Sequence, residues 1–190
     1  MIRTVGNSPE SLSFIADFNV PQGWYANAFR LAECVVTAGH VGSADPRIII
    51  PGKTEVGRLN FLRHPERDLA VATYTQSPSG SFLILAENSI SHKGKIIGRQ
   101  VIVKGFHGAN RDAFMIPARI VGVDAKNRII IESNSRRLTF QQGMSGSVAE
   151  TNGNVVAGFL VEGVEGQKGS QAYFEPAWAL VPYIAGLQLV

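Results

Sequence analysis

Three side chains in this sequence have the types that could attack a carbonyl and move its proton: His40, Asp68 and Ser145. Ser145 stands in Gln142-Gly143-Met144-Ser145-Gly146-Ser147, between two glycines and ahead of an apolar stretch at 155–161. Glycine allows turns that other residues resist. Such a turn can present the hydroxyl outward and aim backbone N–H groups at one point, as an oxyanion hole requires. A serine hydroxyl is a weak nucleophile until a base takes its proton. Of the four histidines, His40 directly follows the apolar run Cys34-Val35-Val36-Thr37, where a rigid scaffold can fix its ring. His64 precedes Pro65 in a charged loop, and His92 and His107 lie among Lys and Gly in expected turns. The base needs a third group to hold its tautomer. Asp68 leads into Leu69-Ala70-Val71-Ala72, where burial demands a partner for the carboxylate. Simpler readings exist for each: a glycine-rich loop with a solvated serine, a histidine at a strand end, and an aspartate paired with Arg67.

These groups need elements to hold them. Short runs read as strands at 12–20, 24–32, 34–37, 48–50, 56–62 and 69–74. A second series follows at 95–105, 114–123, 128–132, 146–150, 155–161 and 172–174. Between them, 77–91 is rich in Ser, Pro, Gly and Asn and reads as a linker. Asp124-Ala125-Lys126-Asn127 and Asn152-Gly153 fall where hairpin turns belong. The segment 176–186 suits a short helix, with Pro182 shortening or kinking it. Two series of about six short strands predict an all-β chain of antiparallel barrels or sandwiches. The expected organisation is one domain over 1–190, with lobes at 8–76 and 92–175 and the helix after them.

Composition removes several classes. The 190 residues carry one cysteine, Cys34, so no internal disulfide can form, and a reducing, cytoplasmic setting is expected. No apolar run reaches membrane-spanning length. No signal peptide is expected either, because no apolar region follows Arg3. A net charge of +3 is mild, so Arg136-Arg137 and the Lys93/Lys95/Arg99 group read as solvated, and nucleic acid is not an expected partner. Cys34, His40 and His64 lack the spacing of a zinc site, so neither metal nor cofactor is expected.

Thr37-Ala38-Gly39-His40 resembles the Thr-Ala-Ala-His segment of the trypsin/chymotrypsin-like (PA clan) serine proteases. Asp68-Leu69-Ala70-Val71 is similar to their Asp-Ile-Ala-Leu, and Gly143-Met144-Ser145-Gly146-Ser147 to their Gly-Asp-Ser-Gly-Gly. The resemblance implies two six-stranded antiparallel β-barrels with a cleft between them and a short C-terminal helix. It implies a serine endopeptidase acting through an acyl-enzyme on a peptide or polyprotein. Ser145 would be the nucleophile, His40 the base and then the acid, Asp68 its orienting group, and the N–H groups of Gly143 and Ser145 the oxyanion hole. An Ile-Val-Gly-Gly start, an aspartate before the serine and a cysteine beside His40 are all missing. The chain therefore looks more like the disulfide-free branches, bacterial intracellular or viral polyprotein-processing.

Specificity follows less directly. Picornain-like viral proteases read glutamine with a histidine on the strand after the serine; Leu160 falls at that place here. Leucine cannot satisfy a glutamine amide. An apolar or small P1 side chain is therefore expected, with Leu138, Thr139, Phe159 and Leu160 as lining. Phe159 and Leu160 could instead be core, and Glu162 could face the pocket and favour a basic residue. An α/β-hydrolase is excluded, because no histidine follows Ser145. The remaining alternative is a catalytically silent protease-like domain serving as a binding or scaffold module.

Overall fold

Apolar runs too short for helices and broken by turn residues build two antiparallel sheets in this chain, described here by a computed structural model. The structure describes residues 12–17, 24–31, 34–44, 46–49, 55–73, 93–107, 112–151 and 155–187. The first sheet holds β1 (Leu12–Asp17), β2 (Trp24–Arg30), β3 (Cys34–Thr37), β4 (Arg47–Ile49), β5 (Glu55–Arg58), β6 (Leu62–Arg63) and β7 (Ala70–Thr73). A single helical turn, α1 (Gly39–Gly42), follows β3. The second sheet follows the turn α2 (Lys93–Ile96). It contains β8 (Gln100–His107), β9 (Asp112–Val123), β10 (Ile129–Ser133), β11 (Val148–Thr151), β12 (Val155–Gly163) and β13 (Gln171–Pro176), and α3 (Ala177–Leu187) comes last.

The second sheet closes as a six-stranded barrel in the order β10-β13-β12-β11-β8-β9, as expected. The first does not. It is an open seven-stranded sheet, β5-β4-β1-β2-β3-β7-β6, and this corrects the expectation of two six-stranded barrels. Its two end strands are four and two residues long, and both residues of β6 are exposed. Such short edges offer few ladder bonds with which to close. The single strand expected at 56–62 accordingly splits into β5 and β6. The strand expected from 95 starts at Gln100 instead, because 93–96 make a helical turn that ends at Gly98 with φ +87°. The Asn152-Gly153 turn, His92 and the linker at 77–91 lie outside the described residues.

Burial follows period two where a strand has one wet face. Along β9, Ile116, Ala118 and Ile120 point into the barrel, while Met115, Pro117 and Arg119 face out. By contrast, β3 is buried at every position, as a strand paired on both sides and covered on both faces must be. Phe29 of the first sheet meets Phe159 of the barrel with ring centroids 5.7 Å apart, and both are fully buried. Removing each ring from water is worth about 2–3 kcal/mol, so this pair is a main tie between the sheets. Helix α3 runs through Pro182 without stopping there, although the ring removes one backbone donor and crowds the Trp178 carbonyl. Tyr183 on that helix donates to the Leu62 carbonyl (3.0 Å), and its ring packs at a tilt of 55° against His64, 4.8 Å between centroids, strapping the helix to the first sheet.

Candidate active site

The site begins where β3 ends. Thr37 Oγ1 donates to the Asn27 carbonyl (2.8 Å), fixing the strand end, and α1 then lifts His40 to the surface. The Asp68 loop lies directly against this turn. A Cβ placed on Gly39 would stand 2.8 Å from the Leu69 nitrogen and 2.9 Å from Asp68 Oδ1. The glycine, where the resembled family carries alanine, therefore lets the two segments approach.

Both carboxylate oxygens of Asp68 are taken by one residue. Oδ1 accepts the His40 backbone N–H at 2.7 Å, and Oδ2 lies 2.8 Å from His40 Nδ1. Because a carboxylate only accepts, this geometry puts a proton on Nδ1 and leaves Nε2 as the free acceptor. Burial pushes the Asp68 carboxyl up. The ring and backbone hydrogen bonds from His40, the His40 charge and nearby Arg63 outweigh it and hold the group below its ordinary value. Arg67, the alternative partner, turns the other way. It donates to Glu175 Oε2 (2.6 Å) and to the Asn127 carbonyl (3.3 Å), tying the Asp68 loop to the barrel.

Ser145 enters from the barrel side, on the loop between β10 and β11. Met144 N–H donates to the Gln141 carbonyl (3.2 Å), and Gly143 at the third position of that turn has φ +90°. Gly146 has φ +84°, and a Cβ there would sit 1.7 Å from the Asn27 carbonyl oxygen. No side chain fits, which gives the motif's second glycine a steric reason. The Ser145 carbonyl accepts the Asn27 N–H at 2.6 Å, and the Gly146 N–H donates to Leu160 at 2.7 Å. The loop is thus pinned on both sides of its serine. Among the described residues, no acceptor takes the N–H of Gly143 or of Ser145. His40, Gly143 and Ser145 line one cavity of about 690 Å³, although no hydrogen bond joins the Ser145 hydroxyl to the His40 ring. Contacts of this kind are often long in an unliganded site and tighten when substrate binds.

The lining differs from the expected set. Phe159 is core, packed on Phe29, and neither Leu138, which is exposed, nor Thr139 lines the cavity. Leu160 does line it, with Phe140, Gln141, Glu162 and Gly163. Glu162 is not a free anion: Arg128 Nη1 donates to its Oε1 at 2.6 Å. The same guanidinium holds Asp124 (2.8 Å) and lies 3.9 Å over the Tyr173 ring.

Two residues escaped the sequence reading. Asn27 is fully buried between the sheets. Its amide donates to the carbonyls of Phe106 (2.9 Å) and Gly143 (3.3 Å), and its Oδ1 accepts the Phe106 N–H at 2.7 Å. His107 ends β8, and its Nε2 lies 3.2 Å from the Gln142 carbonyl. The only hint for Asn27 was a polar residue inside an otherwise apolar strand. His107 gave none, because its partner is 35 residues away. No group of three or more metal-ligating side chains occurs among the described residues, and no described helix is long and apolar enough to cross a membrane.

Neither a protein-family model nor a curated protein sequence matches this chain. Solved structures do. The active form of Rv3671c protease from M. tuberculosis superposes with a TM-score of 0.72 at 18% identity, covering 95% of this chain and 82% of that one. Kallikrein-related peptidase 10 gives 0.72 at 18% identity, over 97% and 98%. A scabies mite inactivated protease paralogue gives 0.71 at 13% identity, over 96% of both. The chain therefore has the chymotrypsin-like protease fold, in which structures titled as active and as inactivated both occur.

Proposed function

We propose that this chain is a serine endopeptidase. The observation that carries the reading is the cavity shared by Ser145, two backbone N–H groups without an acceptor among the described residues, and a histidine whose Nδ1 is held by a half-buried carboxylate. Ser145 Oγ attacks the peptide carbonyl as His40 Nε2 takes its proton. Asp68 keeps the ring in that tautomer and stabilises the imidazolium. The N–H groups of Gly143 and Ser145 receive the charge that develops on the carbonyl oxygen. His40 then returns the proton to the leaving amine, and water releases the acyl group by the same steps. The first sheet and the barrel act as one peptidase unit, with the base and its aspartate on one and the nucleophile on the other.

The cavity favours an apolar or small P1 side chain. Leu160 and Phe140 supply apolar wall, and Arg128 compensates the carboxylate of Glu162, so a basic side chain gains little there. Labelling with a serine-directed fluorophosphonate, followed by a peptide-library cleavage profile, tests the proposal. Wild type should label and cleave, and Ser145→Ala should do neither. A profile dominated by lysine or arginine at P1 would overturn the pocket assignment alone.

One second reading has an observation behind it. The Ser145 hydroxyl makes no bond to the His40 ring, and an inactivated paralogue shares this fold. A binding or scaffold module would leave wild type and Ser145→Ala equally unlabelled while both remain folded.

A further inference from the structure

We infer that His107 is a positioning residue for catalysis, which sets the direction of the Gln142–Gly143 peptide and so aims the Gly143 N–H into the cavity beside Ser145. The inference rests on the peptidase reading above. Residues Gln141 to Met144 form a four-residue turn closed by the Met144 N–H to Gln141 carbonyl bond, with φ +90° at Gly143. A positive φ at the third position marks the type II form. In the alternative type I form the chain enters and leaves the turn alike, but the central peptide faces the other way. Glycine at the third position permits both, so the loop's own backbone does not choose between them.

The choice comes from outside the loop. A carbonyl only accepts, so the 3.2 Å contact requires His107 Nε2 to donate its proton to the Gln142 oxygen. In a trans peptide the N–H lies opposite the C=O. With the Gln142 oxygen drawn to His107, the Gly143 N–H is directed away from that ring and is left without an acceptor among the described residues. The ring also lies against the turn: a Cβ built on Gly143 would be 3.9 Å from His107 Cδ2. Its position is itself fixed, because the preceding residue, Phe106, has both backbone groups tied to the Asn27 amide. The same Asn27 holds the next carbonyl of the loop, that of Gly143, at 3.3 Å. Flipping the central peptide would break the His107 bond and turn the Gly143 N–H out of the cavity, and nothing in the Ser145, His40 or Asp68 side chains would need to move.

The experiment compares wild type, His107→Phe and His107→Gln in kcat, KM, inhibition by a peptide boronate, thermal midpoint and crystal structure. Losing one oxyanion donor outright typically lowers kcat by about 10²–10³. A misdirected donor in His107→Phe is expected to cost at least about tenfold in kcat, weaken the boronate by a similar factor, and leave KM and the thermal midpoint near wild type. Its structure should show the Gln142–Gly143 peptide reversed. Glutamine, which offers an N–H donor, should restore most of the rate. If wild type cleaves and His107→Phe keeps kcat within about twofold, the positioning role is wrong and the peptidase reading stands. Loss that falls on KM and thermal midpoint, with no rescue by glutamine, also overturns it. A wild type that neither labels nor cleaves removes both.

Discussion

Replacing Asp68 by asparagine tests the base assignment with almost no change of shape. In the native site, Oδ1 accepts the His40 backbone N–H and Oδ2 faces Nδ1, at 2.7 and 2.8 Å. The asparagine oxygen can keep the first of these. Its NH₂ must then face the ring, so Nδ1 becomes an acceptor and the ring proton moves to Nε2. A neutral imidazole with Nε2 protonated cannot take the Ser145 proton. Loss of the correct tautomer costs a triad about 10⁴ in kcat, which at about 1.36 kcal/mol per tenfold is roughly 5.4 kcal/mol of transition-state stabilisation. Stability should respond separately. The Asp68 carboxyl is held below its ordinary value, so its contribution to folding is present above the unfolded aspartate pKa of about 3.9 and is lost as pH falls through the lower folded value. The gap in thermal midpoint between wild type and Asp68→Asn should therefore be widest near neutral pH and shrink towards acid. Peptide hydrolysis at pH 7 and thermal melts from pH 2 to pH 7 read the two effects. If Asp68→Asn keeps kcat within about tenfold of an active wild type, the His40–Asp68 pair is structural and the mechanism is wrong.

Three further outcomes follow from single contacts. Gly146→Ala places a Cβ 1.7 Å from the Asn27 carbonyl at φ +84°, and urea unfolding should show a loss of at least about 2 kcal/mol from backbone strain and overlap. Buried on the outer face of the barrel wall, Lys104 Nζ meets Glu150 Oε2 at 2.8 Å, and burial pushes the Glu150 carboxyl up against the opposing pull of the lysine. Lys104→Met should cost about 3–5 kcal/mol in the same assay, and adding Glu150→Leu should recover most of it, since the penalty is an abandoned buried charge. Arg67→Ala removes the partner of the nearly buried Glu175 and unties the Asp68 loop from the barrel, so both the urea midpoint and kcat should fall; a fall in neither refutes the tie.

The three proposed catalytic residues were legible because each is marked locally. His40 follows a continuous apolar run, Asp68 precedes one, and Ser145 sits between two glycines. Strand positions were legible for the same reason: period-two patterning and turn residues act over a few residues, and β9 shows the pattern plainly. Strand count left barrels and sandwiches both open; the resemblance implied two closed barrels, which holds for the second sheet and fails for the first. Closure depends on whether edge strands are long enough to pair, and β6 is a two-residue strand.

What sequence alone determined was therefore the β character of the chain and which three side chains to propose for the chemistry. Partner choice was left to the tertiary structure. Arg67 and Asp68 are neighbours in sequence, yet one binds Glu175 and the other His40. Phe159 and Leu160 are also neighbours and both are buried, but successive strand residues face opposite sides, so only Leu160 also lines the cavity. Asn27 and His107 act on a loop 116 and 35 residues away. Contacts over such separations exist only after the strands have paired and, for Asn27, the sheets have docked, because no local pattern records which strand end will meet which turn.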